Sequence, residues 1–155
     1  MPITLEQVED AEKAVLGSII LEPKAALVAK EMLEPLDFYS ERRRAIYQLI
    51  QNLYTKFERI DELIVRSELG NKLAQFDYKK QDFIFEKHTL CTRDEIMHWI
   101  HECSPACVEG YCAILRKAAA EREMRDRAQQ MLNGVNSDCV YEYVDIITKW
   151  KWRRR

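Results

Sequence analysis

Glycine and proline are scarce, four of each in 155 residues, which excludes collagen-like and low-complexity chains. No apolar run approaches the ~18 residues that span a bilayer, so no membrane partner is expected. The amino terminus is acidic (Glu6, Glu9, Asp10, Glu12) where a secretory signal is basic, which predicts a cytoplasmic protein. Five cysteines, an odd number with no export signal, predict reduced thiols rather than disulfides. The four glycines, Gly17, Gly70, Gly110 and Gly134, lack the Lys-Ser or Lys-Thr neighbours of a phosphate loop and lie far from any dinucleotide-binding spacing. Ser18, Ser40, Ser67, Ser104 and Ser137 all lack the flanking glycines of a nucleophile elbow. These absences exclude an NTPase and leave no catalytic residue and no cofactor to assign.

What is present is a one-domain length with 47% hydrophobic and 32% charged residues, enough to bury a core without staples. The net charge is -2, yet the last seven residues carry five cations and no acid, so residues 1–148 alone stand at -7. Nucleic-acid affinity, if any, therefore concentrates in the tail Lys149, Trp150, Lys151, Trp152, Arg153, Arg154 and Arg155, where cations alternate with rings that stack on unpaired bases. The same cations also suit the carboxyl end of a helix, or an acidic protein partner.

The periodicity predicts an all-α chain. Thr4 and Gln7 form a capping box ahead of a first helix over about Leu5–Leu21, with Leu5, Val8, Ala11, Val15, Leu16, Ile19 and Ile20 at helical spacing. Pro23 opens a second helix that ends before Pro35. Ser40 caps a third, whose stripe is Ile46, Leu49, Ile50, Leu53 and Phe57. Asp61 caps a fourth carrying Ile64, Val65 and Leu69, with Gly70 to end it. Residues 71–91 read as an irregular insertion. Thr92 and Glu95 box a fifth helix running to about Cys103, and Pro105 breaks it.

A long helix then spans about Cys107–Leu132, with Tyr111, Ile114, Leu115, Ala118, Ala119, Met124, Ala128, Met131 and Leu132 near one face. After Gly134 and a polar turn, a last helix places Val140, Tyr143, Val144, Ile147 and Trp150 on one side, which predicts an antiparallel hairpin projecting from the body. The division is a small helical globular body over residues 1–104 and a hairpin with its basic, Trp-rich tail over residues 105–155. The hairpin carries more apolar surface than two helices hide from each other, so Tyr111, Leu115, Ala118, Val144 and Ile147 are assigned to a protein interface. A homodimer or higher homo-oligomer completes the burial.

All three histidines and four of the cysteines fall between His88 and Cys112. His98, His101, Cys103 and Cys107 have the ligand chemistry of zinc, but at ~100° per residue His98 and Cys103 are about 500° apart around one helix, and no metal is assigned.

Three stretches resemble the N-terminal collar domain of DnaB-type bacterial replicative helicases. One is Glu9 to Leu21 with its Val15-Leu16-Gly17 step. Another is Leu36-Asp37-Phe38-Tyr39 followed by Arg44, Ile46, Tyr47, Ile50, Leu53 and Asp61. The third is Ser104-Pro105-Ala106 followed by Tyr111, Ile114, Arg116 and Lys117. The order of these stretches is the specific part of the likeness. Two departures stand out: Arg43 where the family commonly has histidine, and an insertion longer than the family's connection. The resemblance implies a helical body with a protruding hairpin that drives dimerisation, and a non-catalytic role in binding primase and supporting ring assembly. The family's RecA-like ATPase domain has no counterpart in the sequence. The basic ending reads as a natural terminus, which points to a stand-alone adaptor or inhibitor acting on a replicative helicase, primase or helicase loader. The alternatives are a small single-stranded nucleic-acid-binding protein acting through its tail, and a fragment of a full-length ATP-dependent helicase.

Overall fold

The computed structural model describes residues 2–68 and 91–134, and among these every regular element is helical. The elements are α1 (Leu5–Leu21), α2 (Pro23–Met32), α3 (Glu41–Lys56), α4 (residues 62–68), α5 (Arg93–His101) and α6 (Val108–Asn133), with 3-10 turns at Pro35–Asp37 and Pro105–Cys107. Leu69, Gly70, the insertion up to Leu90 and the expected last helix with its tail lie outside the described residues.

The caps are local chemistry that the chain carries in its own spacing. Thr4 Oγ1 accepts from the Gln7 N–H at 3.2 Å while Gln7 Oε1 accepts from the Thr4 N–H at 2.9 Å. Thr92 and Glu95 repeat the exchange at the start of α5, both at 3.2 Å. Ser40 Oγ accepts from the Arg43 N–H at 3.2 Å and Asp61 Oδ1 from the Ile64 N–H at 2.9 Å. One boundary differs from expectation. α5 stops at His101, because Glu102 already leaves helical geometry and Pro105 disfavours a helical residue before it.

α1 is the axis of the fold. Every residue from Val15 to Ile20 is buried, and α1 packs against α2, α3, α5 and α6. The apolar second half of α1, buried on every side, takes the centre of the fold. Gly17 permits a close approach of α5, since a Cβ there would lie 2.2 Å from the Trp99 carbonyl oxygen. Tyr47 closes α2 by donating to the Ala29 and Leu33 carbonyls at 3.1 and 3.3 Å, and burial pushes its hydroxyl pKa up to about 12.

The division after residue 104 cuts through a single core. Val108, Cys112, Leu115 and Ala118 of α6 belong to the same buried cluster as Val15, Leu16, Ile46 and Trp99. The buried residues of α6 all lie in its first half, from Val108 to Ala120, and the helix packs against α1 and α2.

Candidate protein interface

The turn between α2 and α3 is held by a buried ion pair. Glu12 lies on the inner face of α1, completely buried, and its carboxylate accepts from the N–H groups of Tyr39 and of Ser40, the latter at 3.4 Å. Arg43 Nε, on α3, donates to the same carboxylate at 2.8 Å. Three donors on one carboxylate hold the Leu36–Tyr39 turn against two helices. Phe38 is thereby inserted into the core, its ring 4.7 Å from that of Tyr47. The pairing gives Arg43, itself buried, its counter-charge. Sequence reading missed this site, although its signal was present: Glu12 stands between Ala11 and Val15 on the buried stripe of α1.

The same turn meets α6 where that helix leaves the body. Arg122 donates to the Asp37 carbonyl at 3.1 Å and its guanidinium sits 5.4 Å from the Tyr39 ring centroid. The neighbouring Glu121 carboxylate accepts from the Ile3 N–H at 3.5 Å. Leu36 and Tyr39 remain exposed beside this junction.

The five residues assigned to an interface fall into three groups. Leu115 is completely buried and Ala118 nearly so, both inside this chain's own core, so they offer no surface to a second molecule. This corrects the expectation for those two: the small-residue run Ala118-Ala119-Ala120 receives the helices of its own body rather than a partner's. Tyr111 is half-buried, packs against that core, and its hydroxyl accepts from the Ser104 N–H at 3.1 Å. Val144 and Ile147 lie outside the described residues, as do Lys149, Trp150, Lys151, Trp152, Arg153, Arg154 and Arg155. Beyond Ala120 the half-buried positions are Glu121, Arg122, Met124, Arg127, Ala128 and Met131, of which Glu121, Met124, Ala128 and Met131 share one line along α6, whereas Leu132 lies off it at 79% exposure.

Among the described residues no group of three or more His, Cys, Asp or Glu side chains converges as a metal site. His98 and His101 are exposed, Cys103 is half-buried and Cys107 exposed. Burial pushes the Cys91 and Cys112 thiols up to about 12, so they stay protonated and unreactive at neutral pH. In a chain carrying Cys139→Ser, Ellman's reagent at pH 8 is expected to titrate Cys107 first and Cys103 more slowly. Cys91 and Cys112 should react only after denaturant is added; fast labelling of all four would show the thiols to be open. At the start of α5, hydrogen bonds from Arg42, at 2.8 and 3.1 Å, hold the Glu95 carboxyl below its ordinary pKa.

The family model described as "DnaB-like helicase N terminal domain" matches residues 4–91. The replicative DNA helicase DnaC of Bacillus subtilis (strain 168) is 44% identical over 62 residues, covering 40% of this chain and 14% of that helicase. The replicative DNA helicase DnaB of Geobacillus stearothermophilus is 37% identical over 61 residues, covering 39% of this chain and 13% of that protein. The stretch matched is thus a small part of each helicase. The crystal structure of the N-terminal domain of DnaB helicase from Mycobacterium tuberculosis has a TM-score of 0.68 at 22% identity, covering 90% of this chain and 95% of that one, so the all-helical fold is shared.

Proposed function

This chain belongs to the DnaB-like helicase N-terminal domain family, and from that membership we propose that it is a non-catalytic dimerisation and protein-interaction module of DNA replication, working in the cytoplasm as an adaptor or inhibitor. Its partners in this reading are a second copy of itself and a replicative helicase, primase or helicase loader.

The observation that carries the proposal is the division of α6. Its first half is locked into the body through Val108, Cys112, Leu115 and Ala118, and its second half continues as an arm from Glu121 to Asn133. The arm supplies the line of Met124, Ala128 and Met131, and the sequence beyond it repeats an apolar stripe through Val140, Tyr143, Val144 and Ile147. Two such stripes on each of two copies bury one another as a helical bundle does.

Size-exclusion chromatography with light scattering tests this directly. The full chain is expected to run as a dimer or larger assembly. Val144→Asp with Ile147→Asp should weaken self-association ~100-fold, about 3 kcal/mol, while the body keeps its helical signal. A wild-type chain that stays monomeric at 100 micromolar overturns the proposal.

A further inference from the structure

The arm's half-buried line has an unusual apolar composition. From Glu121 onward its apolar members are Met124, Ala128 and Met131, with no branched or aromatic side chain among the described residues of the line. Met124 and Met131 are seven residues apart, two helical turns, and therefore share one face of α6. Met32, by contrast, packs against the core of the body. The apolar contact that the arm offers is thus made largely of thioethers, which are soft and adaptable but chemically labile.

We propose that Met124 and Met131 form an oxidation site that loosens the arm's assembly, with a hydrogen-peroxide-class oxidant as co-reactant. The thioether sulfur attacks one peroxide oxygen, a sulfur–oxygen bond forms and the oxygen–oxygen bond breaks. Proton transfer then releases water, so sulfur is oxidised by two electrons and the peroxide reduced by two. The sulfoxide oxygen is a strong acceptor placed in an apolar contact, so burying it again costs its desolvation, which the half-buried Arg127 between the two methionines offsets only in part while it donates to Gln130. Both methionines are only half-buried in the single chain, so oxidant reaches them when chains have separated, and oxidation holds the chains apart by mass action.

This inference rests on the reading of the arm as an assembly surface, and the test separates the two. The full chain is treated with hydrogen peroxide, sulfoxide is located by peptide mass spectrometry, and assembly is followed by light scattering beside the variant Met124→Leu/Met131→Leu. The wild type is expected to assemble before treatment and to lose at least ~10-fold in affinity once both sulfoxides are present. The leucine variant, which retains every cysteine, should assemble throughout. Methionine sulfoxide reductase should restore the oxidised wild type. A wild type monomeric before treatment overturns the assembly reading and this inference with it. Unchanged assembly with both sulfoxides in place, or equal sensitivity of the leucine variant, overturns the oxidation site alone.

Discussion

Glu12→Ala is expected to destabilise the fold by about 3–5 kcal/mol, the range found when one member of a buried ion pair is removed. The substitution leaves the Arg43 guanidinium, only 7% exposed, without the carboxylate it pairs with, and strips the N–H groups of Tyr39 and Ser40 of their acceptor. The reciprocal change should be milder. In Arg43→Met the carboxylate keeps both backbone donors and the methionine fills the space of the arginine stem, so a loss of about 1–3 kcal/mol is expected. Urea unfolding at one fixed protein concentration measures both. The order matters more than the magnitudes: if Arg43→Met costs as much as Glu12→Ala, the two backbone N–H groups contribute nothing, and Glu12 is not the anchor of the turn.

Gly17→Ala is the second large effect. Alanine is worth ~1 kcal/mol over glycine inside a helix, so propensity alone predicts stabilisation. The contact geometry predicts the reverse, because the new Cβ would lie 2.2 and 2.6 Å from the carbonyl oxygen and carbon of Trp99 and 2.9 Å from Cys103 Sγ. Two of these three neighbours are backbone atoms, which cannot rotate away. α5 would have to move off α1, exposing part of Trp99 and Ile96, which are 2% and 0% exposed. The net cost should be about 3 kcal/mol, lowering the melting temperature by roughly 10 °C. Gly110→Ala supplies the contrast: nothing lies within 4 Å of its Cβ position, so it should be neutral or stabilising by about 0.5 kcal/mol. Thermal unfolding of the two variants side by side decides whether contact or propensity governs position 17; stabilisation by both alanines would refute the contact.

These predictions concern features of different legibility. Thr4 with Gln7, and Thr92 with Glu95, satisfy each other across three residues, so spacing alone locates the starts of α1 and α5. The stripe of α3 was equally open to reading: Ile46, Ile50 and Leu53 are buried, while Phe57 at its end is exposed. The partners of Glu12 and Gly17 were not, since Arg43 is 31 residues away and Trp99 is on the far side of the insertion. A charge on a buried stripe announces that it needs a partner without saying which one. A glycine in a helix announces a tolerance without saying what fills the space.

Two of the five expected interface residues proved to be core for a related reason. Leu115 and Ala118 have the composition and spacing of a contact face, and they are one. Periodicity reports that a face is apolar, but an intramolecular and an intermolecular neighbour remove the same water from it.

From its residues alone this chain is committed to helices, to nearly all of their ends, and to the apolar side of each, because propensity, capping and spacing act within a few residues. Only the assembled body decides that α6 is shared, half core and half arm, that one carboxylate holds the turn before α3, and that α1 and α5 touch at a glycine. Those outcomes depend on which surfaces meet across long stretches of sequence, and such meetings are chosen by shape and burial together.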